Sequence, residues 1–393
     1  MCNVAVDVLC FLNMRALITF LNLVVLPLLL SVGLSGQQKP SPGPVPSTEH
    51  AITTAPVSSS GAQAISFDQA LRACAGECDL TRFSGEMDIA SPGHNLTIPE
   101  GATIHLAHGT IVTSDVIHVS ANATIMGPRN KVTIKAAEGF LPGAVIQLEG
   151  AQASLQNVVV DGSRELNANA DYALISVMAA GRVEMENVSA LFGPGTGIFI
   201  HSSKEAGGDE SCCAKLRNVT AFANTGIGLF VENTGDVFCS MCEFEENSIG
   251  VVLSNASGNR IEHSDIGGST TFGMVIVGDP EPAWGNLIVG NQFGNNRNHD
   301  IAIWGKSGYN VITGNAFIGA SGRFVRGAQT YGILDQGAWG FNTINGNNLS
   351  RGDYPYLCIA SLSSDMIAGN TCRTSAIAAP TGPFRVRKSK VGN

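Results

Sequence analysis

Asn286-Leu-Ile-Val-Gly-Asn291 decides the fold, because the chain writes it again as Asn310-Val-Ile-Thr-Gly-Asn315, Asn342-Thr-Ile-Asn-Gly-Asn347 and Asp365-Met-Ile-Ala-Gly-Asn370. The closing asparagines are 24, 32 and 23 residues apart. Such spacing suits a unit with fixed short strands and one turn free to swell, which is the coil of a solenoid.

A second phrase keeps step with the first. Gly197-Ile-Phe-Ile-His201, Gly228-Leu-Phe-Val-Glu232, Gly250-Val-Val-Leu-Ser254, Gly273-Met-Val-Ile-Val277 and Asp300-Ile-Ala-Ile-Trp304 are short apolar strands opened by a small or turn-forming residue. Side chains alternate across a strand, so Ile198 and Ile200, Leu229 and Val231, and Ile301 and Ile303 share one face. One coil cannot bury that face alone, whereas stacked coils about 4.8 Å apart share a continuous core. No convincing helical period of ten or more residues interrupts the pattern beyond Asp88. Weaker copies reach back through Arg182, Ala153 and Ala123 to Asn95. The expected fold is therefore an all-β right-handed parallel β-helix over residues 88–375, with roughly 10 to 12 coils in a rod on the order of 50 Å long. Composition agrees: 46 glycines supply turns, charged residues are held to 14%, and 44% apolar residues can fill a long core.

The ends have other roles. Arg15, an apolar stretch densest from Leu23 to Leu30, and then Ser31, Gly33, Ser35 and Gly36 read as a secretory signal over residues 1–36, or as an N-terminal anchor if it is not cleaved. Residues 37–63, rich in Pro, Ser and Thr, form a disordered linker. Residues 64–87 form a cap with a short helix from Phe67 to Ala75 that closes the open end of the solenoid. Residues 376–393 are a short basic tail with no further support for nucleic-acid binding. Secreted, periplasmic or cell-surface location follows, and a monomer is expected.

Eight cysteines remain after the leader. Export favours disulfides: Cys74 with Cys78, Cys212 or Cys213 with Cys239 or Cys242, and Cys358 with Cys372. The competing arrangement for Cys212, Cys213, Cys239 and Cys242 is a four-thiolate zinc site.

The repeat from about Asp88 to Cys372 resembles the right-handed parallel β-helix superfamily, the pectin lyase-like proteins, and its Asn-x-Ile-x-Gly-Asn coils are similar to the β-helix repeat of many exported carbohydrate-active proteins. The resemblance implies fold more than activity, since lyases, hydrolases, epimerases, tailspikes and non-catalytic proteins share it. The hydrolase strings Asn-Thr-Asp, Asp-Asp, Gly-His-Gly and Arg-Ile-Lys do not occur in this sequence. The epimerase string Asp-Pro-His is met only by Asp279-Pro280-Glu281. A net charge of -9 argues against a broad groove for anionic polymers.

Outward positions of successive strands form columns, and one is expected to run His201, Glu232, Ser254, Val277, Trp304, Asp335. His201 and Glu232 would then be neighbours able to share a proton, the candidate catalytic pair. Trp284, Trp304, Tyr309 and Trp339, with Asp279 and Asp335, are the candidate glycan-binding set, because sugars stack on aromatic rings. Asn291, Asn315, Asn347 and Asn370 should form a turn ladder of stacked amides. Glu243, Glu245 and Glu246 with Asp236 are a candidate Ca2+ site against the simpler reading of a solvated acidic face. The chain is thus expected to bind polysaccharide, and whether it also processes it, as a lyase, hydrolase or epimerase, is left open by the incomplete catalytic strings. A non-catalytic surface or adhesion solenoid is the alternative. A periplasmic copper-handling accessory protein is a third class, disfavoured by the lack of a Met/His-rich cluster.

Overall fold

A computed structural model describes residues 66–89, 96–129, 131–178, 181–201, 214–318, 331–351, 358–362, 364–372 and 377–378. The proposed signal and linker lie outside these residues, as do Cys212, Cys213 and the basic tail apart from Ile377–Ala378, which form the last strand of the third sheet. Among the described residues no helix is long and apolar enough to cross a membrane.

The described residues build three parallel sheets of 12 strands each, and every strand pairs with the strand three places later in the chain. That order is a right-handed β-helix in which each coil donates one strand to each sheet. The repeated phrase now has a physical meaning. Its central isoleucine, as in Leu287–Val289, Val311–Thr313 and Thr343–Asn345, points inward in the first sheet, and Ile288, Ile312 and Ile344 stack in register, all fully buried. The glycine that follows adopts φ of +65°, +64° and +60° at Gly290, Gly314 and Gly346, the left-handed conformation that the tight turn needs. The closing asparagine then joins a buried ladder: Asn291 donates its backbone N–H (2.8 Å) and its side-chain amide (3.1 Å) to Asn315 Oδ1, and Asn315 and Asn347 repeat the arrangement one coil on.

A second ladder, absent from the sequence reading, uses the opening asparagines. Asn259, Asn286, Asn310 and Asn342 hand amide hydrogens from coil to coil at the turn into the first sheet. A shorter third one, interrupted by Ser269, holds the turn into the third sheet: Asn224 donates to Asn247 Oδ1, and the Ser269 backbone N–H donates to Asn296 Oδ1. Buried amides of this kind are satisfied only by their neighbours, so they fix the register between coils.

The third ladder also explains the opening glycine of the second phrase. A Cβ on Gly228 would lie 2.7 Å from Asn247 Nδ2 and 2.6 Å from Gly250 O; one on Gly250 would lie 2.5 Å from Gly273 O. The strand can approach the amide only where there is no side chain. Gly250→Ala should therefore cost about 1–3 kcal/mol through overpacking, measured as a lower unfolding midpoint in denaturant.

The core fills the space between the sheets. In the second sheet Phe244, Ile266, Phe293 and Phe317 stack inward, with Phe293 and Phe317 rings 5.2 Å apart and near parallel. At the N-terminal end the helix Phe67–Arg72 caps the coils with buried Phe67 and Leu71, its start fixed by a capping box between Ser66 and Gln69. It is shorter than expected from the sequence, because Ala73 closes it and the Cys74–Cys78 disulfide and Gly76 (φ +88°) turn the chain away. The first strand, Glu77–Leu80, lies ahead of Asp88; its lone buried Leu80 gives no alternation for a sequence pattern to catch.

Candidate functional site

The outward face of the third sheet is chemically unlike the other faces. Its middle column runs Thr97, His118, Gln147, Ser176 and then Phe199, Phe230, Val252, Val275, Ala302, Leu334, Ala360. Four polar residues give way at Phe199 to seven apolar ones. A strand with apolar residues at successive positions has two apolar faces, so these strands carry a second hydrophobic cluster outside the solenoid. Val252, Val275 and Val277 are its buried centre, and the partly buried Ile227, Phe230, Ile249, Phe272 and Trp304 pack around them.

Rings edge the cluster. Phe199 and Phe230 lie 5.2 Å apart, Phe272 meets Trp304 edge-on at 5.1 Å, and His299 bridges Phe272 (5.6 Å) and Tyr331 (5.4 Å). Burial pushes the His299 imidazole down to about 4, so the ring is neutral near pH 7, and its Nδ1 accepts the backbone N–H of Tyr331 at 3.1 Å. Burial likewise raises the Tyr331 phenol. Phe199, Phe230 and Phe272 were missed from sequence as members of this face. For Phe199 and Phe230 the signal was present, since the aromatic of each Gly-x-Phe strand falls on the side opposite the inward pair; Phe272 lies before its glycine, outside that pattern.

His201 and Glu232 stand beside this cluster as neighbours across one coil step. Nδ1 of His201 is 3.4 Å from Glu232 Oε2, without hydrogen-bond alignment, and the imidazole stacks on Phe199 at 5.5 Å. A second pair of the same type was not anticipated: His118 Nδ1 lies 2.6 Å from Glu149 Oε1, and Gln147 also donates to that carboxylate (2.9 Å).

The candidate aromatic set divides. Trp304 belongs to the third-sheet face, aligned with Val277. Trp284 ends the 13-residue strand Phe272–Trp284 and is half exposed. Tyr309 stacks on Phe341 (5.4 Å, 15°), and Trp339 sits by Gly308, so these side chains mark the corner between the third and first sheets. Asp279 is exposed, and its backbone N–H donates to Asn255 Oδ1 at 2.6 Å.

Asp335 is a correction. It does not follow Trp304 outward; it pairs with Ile303, points into the core and is 1% exposed. The strand Ile333–Asp335 starts opposite Ile301, so the alternation turns its third residue inward. Two cysteine expectations also change. Cys239 bonds to Cys242 within its own coil instead of reaching toward 212 or 213, which also leaves no four-thiolate zinc arrangement at these two sulfurs. Cys358 and Cys372 face each other as thiols in hydrogen-bond contact, and burial with that contact pushes the Cys372 thiol up to about 12. Asp236 lies across the strand Phe238–Ser240 from Glu243; Asp265 is the acidic neighbour of Glu243 instead. Burial and mutual repulsion raise the Glu245 and Asp265 carboxyls.

Residues 109–324 match the family model described as periplasmic copper-binding protein (NosD). The chain belongs to the NosD family. No curated protein matches it by sequence. Among solved structures, the A-module of mannuronan C-5 epimerase AlgE4 from Azotobacter vinelandii is similar at 13% identity and TM-score 0.52, over 71% of this chain and 89% of that one. The periplasmic alginate epimerase AlgG (11%, TM-score 0.43, 69% and 77%) and the Dettilon tailspike protein (13%, TM-score 0.45, 68% and 62%) are more distant likenesses. At these identities the likeness is one of fold.

Copper in proteins is held by clustered Cys, Met and His side chains. Among the described residues of this NosD-family chain, no three His, Cys, Asp or Glu side chains are grouped to hold a metal ion. Four of the described cysteines are in disulfides. The remaining described thiols are the facing pair Cys358 and Cys372.

Proposed function

We propose that this protein is an exported β-helix that binds polysaccharide along the outward face of its third sheet. The column that turns from polar to apolar at Phe199 carries this conclusion. It places the half-buried rings of Phe199 and Phe230 beside a row of hydrogen-bonding groups, His201, Glu232, Ser254 and Asn255. A pyranose has the matching surfaces, an apolar face of C–H groups and a rim of hydroxyls, and aromatic side chains serve such ligands with large area at small entropic cost. Neutral His299 and the few cations on this face suit a neutral or weakly charged glycan better than a polyanion.

His201 and Glu232 border the same face, close enough to pass a proton to one another, which supports processing as a lyase, hydrolase or epimerase. A non-catalytic scaffold would use the same rings for adhesion alone.

A glycan array with the full chain, followed by ultraviolet absorbance and reducing-end assays on each ligand found, separates these outcomes. Binding is expected, and Trp304→Ala should weaken it about tenfold or more. New unsaturated or reducing ends that vanish in His201→Ala would establish catalysis. No binding to neutral or acidic glycans would refute the proposal.

A further inference from the structure

The amide ladder at the turn into the first sheet changes chemistry at its last rung. Asn259, Asn286, Asn310 and Asn342 are followed by Asp365. A carboxylate only accepts, so the backbone N–H of Asn342 donates to Asp365 Oδ1 (3.0 Å), while its side-chain amide turns aside to Asp335 Oδ2 (2.6 Å). Gly337 N–H donates to Asp335 Oδ1 (2.8 Å) and Leu362 N–H to Asp365 Oδ2 (3.0 Å). Asn342 thus binds both carboxyls, one through its backbone N–H and the other through its amide, and so sets them side by side.

Two carboxyls side by side in a dry core cannot both carry a bare charge and need a proton or a cation between them. Asp365 is the charged group acting on Asp335, and no cationic side chain among the described residues offsets it. Ile303, Gly337, Asn342 and Ser361 around it do not titrate. A third oxygen supplies an independent sign of a missing partner. The register that pairs Ile333 with Ile359 and Leu334 with Ala360 sets Ser361 beside Asp335 in the inward column; Ser361 is fully buried and its Oγ has no hydrogen-bond partner. Asp365 is only half-buried and leaves a route to solvent.

We propose that Asp335, Asp365 and Ser361 hold a hard divalent cation, Ca2+ or Mg2+, that ties the last coils together. All three ligands are oxygens, as such ions prefer, and water at the Asp365 side would complete the shell. The site is separate from the acidic residues of the second sheet and from the glycan face.

Thermal unfolding of the full chain, stripped with a chelator and then given Ca2+ or Mg2+ separately, tests it. Either ion at millimolar concentration should raise Tm by about 5 °C or more, and the rise should be larger at pH 9 than at pH 6, because the ion displaces a proton. The ion that acts at the lower concentration identifies the cation. Ser361→Ala should weaken the response about tenfold, and Asp335→Asn should abolish it; Asp365→Asn at the half-buried end serves if Asp335→Asn does not fold. A wild-type Tm that ignores both ions at both pH values would overturn the site. A response that survives in Asp335→Asn or Asp365→Asn would overturn it too.

Discussion

Replacing Asn310 by alanine should destabilise the solenoid by about 3–5 kcal/mol, the largest loss expected from any polar-to-alanine change in the coils. Asn310 is fully buried. Its Oδ1 accepts both the backbone N–H (3.1 Å) and the side-chain amide (2.9 Å) of Asn286, and its own amide donates to Asn342 Oδ1 at 3.0 Å. The substitution removes three bonds and leaves the Asn286 backbone N–H buried without an acceptor, which adds a desolvation penalty of about 1–3 kcal/mol. Because each coil is held only by its two neighbours, the damage should appear as early melting of the C-terminal coils and not as a uniform shift. Hydrogen exchange across the melt checks this. Asn218→Gly is the control: Asn218 donates to Asn187 Oδ1 in an outer, solvated ladder at φ +52°, which glycine keeps without strain, and loss of its amide should cost no more than about 1 kcal/mol.

The second large effect concerns pH. Burial first, then the nearby Asp365 carboxylate, pushes the Asp335 carboxyl up from 3.8 to about 8. The folded state therefore holds this proton more tightly than the unfolded chain does. Stabilisation from the protonated group is fully present below about pH 4 and is lost as pH rises through about 8. In chelator, where no divalent ion can take the place of the proton, Tm should fall between pH 5 and pH 9. Asp335→Asn keeps the shape without the charge, and at pH 9 it should be more stable than wild type by on the order of 3 kcal/mol. A wild-type Tm that is flat from pH 5 to 9 in chelator would contradict the buried carboxyl.

What could be read in the chain follows from how local each feature is. The Asn-x-Ile-x-Gly-Asn phrase encodes a ladder rung, an inward strand, a left-handed turn and another rung within six residues, so the coil was legible. The inward pairs Ile198 with Ile200 and Ile301 with Ile303, and the His201–Glu232 adjacency, needed only alternation and a one-coil register. Asp335 was legible too: counted from Gly332 it falls where Ile200 falls after Gly197, not where His201 falls.

The division of the tryptophans was not legible. Trp284 lies at the end of an unusually long strand whose pairing shifts between Gly278 and Ala283, and no repeat dictates that irregularity. The Cys239–Cys242 closure depends on the turn between the first and second sheets, which sequence spacing does not determine.

The polysaccharide-binding face is tested most directly through Trp304. The chain has 3 tryptophans, so Trp284→Phe with Trp339→Phe leaves Trp304 as the sole indole, on the third-sheet face against Phe272. Its fluorescence is followed while a glycan identified on the array is titrated in. A saturable change in emission, with the affinity of the unmodified protein, is the predicted result. Glycan binding that persists while the Trp304 emission stays unchanged would place the ligand elsewhere and contradict the account.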